Sequence, residues 1–590
     1  MRTTIALFLL LSATAPSVRS QVSAHYLGIG RQGQARLLAT DSAGNLYAVA
    51  NVIEPSGRPQ IRVIKTDPQV NVLATATFGS SQTDALAAAA VDHQGNLIIT
   101  GSTYAPDFPL VPPLASNTAS SSAFVTKLDP QLHILFSTRL GGAQPSLPGT
   151  TGGGLALDSA GNIYLTGSTS ALDFPVTAGA YQTTPPMNDP FGNAVYAYVT
   201  KLSADGSRIL FSTYFGSNTT NCSGGSSCLG VHGTSAGSAL ALDSSGAIIL
   251  AGTTTASDLP TTAGAYAQQC NGCGRGGSAG FLAKFSADGT RLLWATYLPL
   301  ADRSHSERLA SSISILTMAL DASGNIVVGG PAPVGFPVTS GAAQTEYSAS
   351  APFNFGVFYG GFVSKFDPTA QHLLFSTYLG GNVLLGGING VLALAPDSQG
   401  NIWLAGGSVP DQLPLPAGTP ILGQTYFGAL ASDGSRMTAA WTAPTGAAGQ
   451  ALVLTSQAVA TLGSAGSILL AGPSSGASLL GVANSAGSQV SGYVAPYELI
   501  SFYGSGLGPA TPAGPQVADG LVSTSLSDVQ VLFDGTPAPL LYVSSTQVNA
   551  IVPSMVNGRN STAVRIVTPS GAIDGLRLLI RPSRPEVFRS

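Results

Sequence analysis

The sequence is poor in charge. Only 9% of its 590 residues are Asp, Glu, Lys or Arg, and the formal charge is -4, whereas soluble globular domains average about 25% charged residues. A coiled coil or long helical array needs Glu, Lys and Arg on its outer faces, so that class is excluded. With 24 Lys and Arg against 28 Asp and Glu, the chain also lacks the basic footprint of a nucleic-acid binder. Long hydrophobic runs are missing beyond the N-terminus, where every apolar stretch is short and broken by Gly, Ser or Pro. None approaches the roughly 20 residues of a membrane-spanning helix. Cysteine numbers four and histidine six. What the chain has in quantity is turn material. Its 72 Gly and 39 Pro make up nearly one residue in five. With 44% hydrophobic residues and a mean hydropathy of +0.28 there is ample material for cores, which excludes disorder. The expectation is a turn-rich, all-β protein.

The N-terminus predicts export. Met1-Arg2 precedes an apolar run from Ile5 to Leu11 and small residues up to Val18-Arg19-Ser20, the order of a secretory signal peptide. Residues 1–20 are expected to be removed, leaving a secreted, periplasmic or cell-surface protein that starts at Gln21.

A repeat organises most of the chain. The phrase Ala156-Leu-Asp-Ser-Ala-Gly-Asn-Ile-Tyr-Leu-Thr-Gly167 has relatives around Asp41, Asp92, Asp243, Asp321 and Asp397, and in all six copies a Gly follows the Asp by three residues. A worn copy at 458–472 has lost its Asp. A second phrase, Phe124-Val-Thr-Lys-Leu followed by Leu135-Phe-Ser-Thr-Arg-Leu-Gly-Gly142, recurs around Lys65, Lys201, Lys284 and Lys365 and, without its Lys, at Tyr426 to Trp441. Each phrase reads as a β-hairpin: alternating apolar residues flank a turn in which Asp accepts amide hydrogen bonds and Gly takes a positive φ. Two hairpins give four strands, A to D in chain order. Four-stranded units repeated about seven times predict a seven-bladed β-propeller, with six or eight blades as alternatives. Residues 24–28 read as a lone D strand able to complete the last blade, whose own C strand is placed near Leu479–Val482. Such a closure removes open sheet edges.

The phrases at 173–182 (DFPVTAGAYQ), 198–216 (YVTKLSADGSRILFSTYFG) and 239–254 (ALALDSSGAIILAGTT) resemble the SBBP class of bacterial β-propeller repeats over roughly residues 22–482. The resemblance implies secretion and a propeller, and no defined activity. The Asp-x-x-Gly-Asn hairpin is also similar, more weakly, to those of NHL and gluconolactonase-like propellers. Residues 484–590 read as a separate Ig-like β-sandwich of short strands between Gly and Pro turns. They resemble IPT/TIG domains, and more closely a C-terminal domain recurrent in secreted proteins of soil bacteria. The expected division is therefore 1–20 signal peptide, 21–483 propeller and 484–590 sandwich.

Tight A–B and C–D turns leave the long insertions to the B–C and D–A connections, on one face of the disc. Function on a rigid repeat scaffold usually sits on such loops. The segment with Tyr347, Phe353, Phe355, Phe358 and Tyr359 is the candidate binding element, able to stack on a sugar ring or a partner; covering a blade edge is the plainer role for these rings. The five lysines of the chain all fall in one C-strand slot. They read as packed stems whose amines reach a repeat Asp or a carbonyl. Asp107-Phe-Pro, Asp173-Phe-Pro and Asp258-Leu-Pro read as packed entries to the B–C loops. Cys222, Cys228, Cys270 and Cys273 are disulfide candidates in an exported protein, paired locally or crosswise, with a four-thiolate zinc site as the alternative. No cofactor or metal is expected, and the repeated Asp residues are assigned to turns.

Two functions fit. One is an exported non-catalytic scaffold or binding protein, monomeric, whose loop face recognises an extracellular glycan or protein. The alternative is a propeller enzyme, a hydrolase or lyase acting on a polysaccharide or lactone with carboxylates around the central channel. Three or more acidic or His side chains converging at the loop-face end of that channel favour the enzyme; a mouth of Ser, Thr and Gly disfavours it. A purely structural role in the cell envelope is a third possibility.

Overall fold

A computed structural model describes residues 21–583 except 30–32, 112–113, 115–120, 144–148, 186–193, 218–232, 271–272, 274–276, 302–311, 347–359, 382–389, 410–411, 445, 456–457, 473–475 and 488–489. The described residues contain no α-helix, and no helix long and apolar enough to cross a membrane. The alternating phrases of the sequence fold as antiparallel four-stranded sheets in chain order. The first holds β2 (Gln34–Thr40), β3 (Leu46–Ile53), β4 (Pro59–Thr66) and β5 (Val72–Phe78); the second holds β6 (Ala85–Val91), β7 (Leu97–Thr103), β8 (Ser122–Leu128) and β9 (Ile134–Leu140). The third comprises β10 (Thr150–Leu157), β11 (Ile163–Thr169), β12 (Tyr196–Leu202) and β13 (Ile209–Phe215), and the fourth β14 (Ser235–Leu242), β15 (Ile248–Thr254), β16 (Ala279–Phe285) and β17 (Leu292–Leu298). The fifth has β18 (Thr317–Leu320), β19 (Ile326–Ala332), β20 (Gly360–Phe366) and β21 (Leu373–Leu379), and the sixth β22 (Gly390–Pro396), β23 (Ile402–Gly407), β24 (Thr425–Leu430) and β25 (Met437–Ala443).

The next sheet is completed from the other end of the chain. It orders β26 (Gly449–Leu454), β27 (Val459–Gly463), β28 (Ser467–Gly472) and then the N-terminal β1 (Gln21–Tyr26), with Gln21 opposite Gly472 and Tyr26 opposite Ser467. Strand A of each sheet lies beside strand A of the next, and β26 lies beside β2. The B and C strands are the most buried, and their aromatic and β-branched side chains fill the space between neighbouring sheets. This is the packing of propeller blades.

Two details differ from the sequence reading. The worn copy at 458–472 is not an A–B hairpin: it supplies strands B and C, and strand A is the plain Gly449–Leu454 stretch before it. The reason is chemical. Gly466, at φ 78°, makes the same tight turn between β27 and β28 that Gly161, at φ 78°, makes between strands A and B of the third sheet, so the turn alone cannot say which hairpin it closes. The expected C strand near Leu479 is β29 (Ser478–Asn484), which pairs with β31 (Leu499–Ser505) in a different sheet.

That sheet continues through β37 (Gln547–Ile551) to β36 (Leu540–Val543). A second one orders β30 (Tyr493–Val494), β39 (Gly571–Ile580), β38 (Ser561–Thr568), β34 (Gln530–Phe533) and β35 (Thr536–Pro537), and β32 (Val517–Ala518) and β33 (Leu521–Val522) form a separate short ribbon. Phe502, Val548, Val531, Ile566 and Leu578 are buried in one core between the two sheets, and that core runs on through Leu479 to Val22 and Leu469. Strand β1 is thus the joint of the molecule. Its Val22 amide donates to Ser478 Oγ at 3.0 Å, and its Tyr26 hydroxyl accepts the Val482 amide at 2.7 Å.

Candidate functional site

The repeated A–B turns place six carboxylates, Asp41, Asp92, Asp158, Asp243, Asp321 and Asp397, at equivalent positions. In each A–B hairpin one carboxylate oxygen of the Asp accepts the amides two and four residues on, at 2.9 and 2.9 Å for Asp92, while the other takes the Asn96 amide group at 2.9 Å. Asp41, Asp158, Asp321 and Asp397 repeat this set. Asp243, followed by Ala247 instead of Asn, keeps the two amide bonds.

The C-strand lysines close on the same carboxylates. Lys127–Asp92 and Lys201–Asp158 are 3.0 Å apart, and Lys284–Asp243 and Lys365–Asp321 are 2.7 Å apart. Burial pushes the Asp92 carboxyl up, but the Asn96 amide and the Lys127 ammonium outweigh it and hold the group below the usual range. Burial likewise opposes Lys284 and Ser245 at Asp243, which is held down at about 2. Three of the ammoniums also reach across to the next sheet: Lys65 donates to Pro130 O at 3.0 Å, Lys127 to Ala204 O at 3.0 Å and Lys365 to Ser432 O at 3.5 Å. The sixth sheet lacks the lysine, and there Trp403 Nε1 donates to Asp397 at 3.2 Å. The lysine slot is a staple within and between sheets.

The B–C insertions do more than crown one face. Each starts with an anchor. Asp107 accepts the Ser81 amide and hydroxyl, Asp173 the Ala143 amide at 2.9 Å, and Asp258 the Ser217 hydroxyl, so each ties its loop to the connection entering its own sheet. Gly335 replaces the Asp in the fifth sheet, and its carbonyl takes the Ala301 amide at 2.9 Å instead. The D-strand tyrosine then clamps the loop. Tyr378 Oη accepts the Phe336 amide at 2.9 Å and donates to Pro333 O at 3.0 Å; Tyr214 and Tyr297 do the same. Burial pushes the Tyr378 hydroxyl up to about 12. Arg139 occupies this position in the second sheet and donates to Ala105 O at 3.1 Å.

Beyond the clamp the loop runs down the outer edge of strand D. The Thr177 amide donates to Ser212 O at 3.1 Å, Ser212 N returns to Thr177 Oγ1 at 3.0 Å, and Tyr214 N donates to Gln182 O at 3.1 Å. The loop then crosses to the following sheet, where Tyr181 N donates to Gly289 O at 3.0 Å and the Tyr181 ring meets Phe285 edge-on at 5.7 Å. Thr262 to Ala267 and Thr339 to Gln344 repeat this course, latching to Ala370 O and Gly434 O. The phrase Pro-Val-Thr-Ala-Gly-Ala-Tyr-Gln is therefore a belt that covers a sheet edge and fastens it to its neighbour. Sequence reading missed this role; the signal was there in the recurrence of the phrase at one distance from strand D.

Around the channel, the described inner strands hold no Asp, Glu or His. Their loop-face ends carry Arg36, which donates to Gln34 Oε1 at 2.8 Å, and Thr150, Thr151, Ser235, Gly390 and Gly449. The buried acid just outside them, Asp84, accepts the Ser80 amide at 3.0 Å and hydroxyl at 2.9 Å. Burial pushes its carboxyl up against the pull of Thr103 and Ser80. It occupies the ladder position that Thr150 and Ser235 fill in the next two sheets, where hydroxyl pairs to Thr169 and Thr254 measure 2.8 and 2.9 Å.

Of the remaining sequence candidates, Cys270 and Cys273 are joined in a disulfide with Cα atoms 5.6 Å apart. Cys222, Cys228, and the aromatic residues Tyr347, Phe353, Phe355, Phe358 and Tyr359 lie outside the described residues. No group of His, Cys, Asp and Glu able to hold a metal occurs among the described residues. His133 and His372 bond Asp129 and Asp367 at 3.0 and 3.2 Å, doing in the C–D turn what Asn71 does for Asp67.

Four-stranded sheets whose inner strands lie side by side, followed by a pair of packed sheets, define a propeller-type repeat protein with an immunoglobulin-like C-terminal unit. Comparison with known families agrees. The SBBP family, described as a beta-propeller repeat, matches residues 135–175, and the IPT/TIG domain family matches residues 488–576. The chain thus carries an SBBP-type repeat match running from β9 through β11 and an IPT/TIG match over its C-terminal unit. No curated protein matches its sequence. Solved structures similar to it include the WD40 beta propeller domain of Doa1, at 8% identity and TM-score 0.37, over 77% of this chain and 96% of that one. Puromycin hydrolase has 11% identity and TM-score 0.37 over 90% and 61%, and the plexin A4 full extracellular region 7% and 0.40 over 95% and 53%.

Proposed function

We propose that the chain is an exported, non-catalytic binding or scaffold protein, with residues 21–472 forming a seven-bladed propeller and an Ig-like sandwich starting at Ser478. The observation that carries this reading is the engagement of the repeated polar groups. The carboxylates of the A–B turns, the lysines and the D-strand tyrosines are each bound into turns, staples or clamps, which leaves variation to the loops that a rigid scaffold presents. The enzyme alternative needs carboxylates gathered at the channel, where the described inner strands present Thr, Ser, Gly and Arg36.

Recognition is assigned to the loop face, with Tyr347, Phe353, Phe355, Phe358 and Tyr359 as the contact residues and a neutral glycan or a protein as the ligand. A surface with few charges and many hydroxyl and amide groups suits a neutral polymer. The sandwich shares β1 and a buried core with the last sheet, and so holds the propeller in a fixed attitude on whatever the C-terminal unit contacts. The test is a glycan array probed with the mature protein and with a variant carrying Ser at the five aromatic positions. Saturable binding by the first and not the second is the expected result. Turnover of a polysaccharide or lactone by the mature protein would replace this reading with the enzyme.

A further inference from the structure

One sheet has no belt. In the first, strands B and C are joined by the tight turn Glu54–Arg58, closed by Glu54 N to Arg58 O at 2.9 Å, so no insertion is available to run down strand β5. Among the described residues every other edge is met by a further stretch of chain, through its backbone or, on β25, through the Thr442 side chain alone. Val111 bridges Ser137 on β9; belts lie on β13, β17 and β21; Leu422 N bonds Thr442 Oγ1 on β25; and β1 is covered by the C-terminal sheets. The contrast shows in burial. Ser376 and Tyr378 on β21 are 0% and 4% exposed, whereas their counterparts on β5, Thr75 and Thr77, are exposed, as are Val72 at 57% and Leu73 at 56%.

The backbone of β5 matches what the belts use elsewhere. By register, Ala76 faces Val63 as Thr377 faces Val363, so Thr75 N, Thr75 O and Thr77 N point outward like the belted groups of Ser376 and Tyr378. None of the three makes a hydrogen bond among the described residues, and neither does Leu132 O, the counterpart of the Ala370 carbonyl that takes a belt amide. The strand Val-Leu-Ala-Thr-Ala-Thr-Phe carries no charge and no proline. Those are the devices that normally protect an edge from pairing with another chain.

We propose that the β5 edge is a docking site for an extended, uncharged segment of a partner protein, bound as an added antiparallel strand with the chemistry of the belts: a Thr whose hydroxyl and amide engage Thr75, and a small-residue stretch reaching Leu132 O. Main-chain hydrogen bonds to an open edge give affinity and alternate side chains give selectivity in this mode of recognition. A second copy of this chain is the weaker occupant, because its described belts already lie on its own sheets. The site is independent of the loop-face reading above.

The experiment uses the mature chain and a fluorescent peptide with the sequence of residues 174–183, FPVTAGAYQT. Anisotropy is expected to show saturable binding, with slowed hydrogen exchange at the Thr75 and Thr77 amides. Thr75→Pro removes an outward N–H that an edge strand can lose without unfolding, and Leu73→Lys adds the kind of edge charge that blocks pairing. Each variant is expected to keep the parent circular dichroism and to weaken binding at least about tenfold. Leu73→Lys carries the test if the proline variant fails to fold. Absence of binding, binding unchanged by both substitutions, or a wild-type dimer that Leu73→Lys dissociates without any peptide binding would overturn the proposal.

Discussion

The Lys365 ammonium sits 2.7 Å from the Asp321 carboxylate, with the two side chains 9% and 6% exposed. The same carboxylate orders the turn through Ser323 N and Asn325, so one buried pair ties strand C to the A–B hairpin. Lys365→Met leaves that carboxylate buried without its cation. The expected loss is about 3 kcal/mol or more in urea unfolding, because removing one member of a buried pair strands the other. The double change with Asp321→Asn is expected to recover part of it.

The Tyr378 hydroxyl joins Phe336 N to Pro333 O inside a buried region. Tyr378→Phe leaves an amide and a carbonyl without their partner. A loss of about 1–3 kcal/mol follows from the desolvation of such groups, measurable by thermal or denaturant unfolding.

His25 on β1 gives the joint a pH dependence. Burial holds its imidazole at about 4, against the opposing pull of Asp67; Ser23 Oγ lies 3.1 Å from Nε2. A histidine lowered from about 6.5 binds its proton more readily when unfolded, so stability falls as pH drops from about 6.5 towards 4. Unfolding temperatures measured across that range are expected to decline, and His25→Gln is expected to flatten the decline.

A second acid limb has a different owner. Asp243 is held down at about 2, so its contribution is present above the ordinary carboxylate range and is lost as pH falls through about 4 towards 2. Lys284→Met, which removes its 2.7 Å partner, is expected to shrink that limb and leave the His25 limb unchanged.

Much of the fold is legible in the sequence because its turns are chemically explicit. Asp158, Gly161 and Asn162 write one hairpin, and Lys201 marks the strand that closes on it. The all-β class, the repeat and the N-terminal strand completing the last sheet follow from such residues. Gly466 shows the limit: a turn glycine announces a hairpin and not its place in a sheet, which is why residues 458–472 read as strands A and B but fold as B and C. The belts were less legible for another reason. Tyr181 looks like a loop aromatic until Gly289 of the next sheet is placed beside it, and that meeting spans more than a hundred residues of chain. Likewise, nothing in Val72–Phe78 itself reveals an open edge; the signal is the insertion missing between β3 and β4.

The recurring Pro-Val-Thr-Ala-Gly-Ala-Tyr-Gln phrase is a belt over sheet edges, and β5 lacks one. Native-state hydrogen exchange tests it residue by residue. The amides of Tyr214, Tyr297 and Tyr378, which donate to Gln182, Ala267 and Gln344 at 3.1, 3.0 and 3.0 Å, are predicted to exchange slowly, and the Thr77 amide of the free protein to exchange fast. Equal protection of Thr77 and the three tyrosines, or rapid exchange of all four, would mean that the belts do not cover these edges.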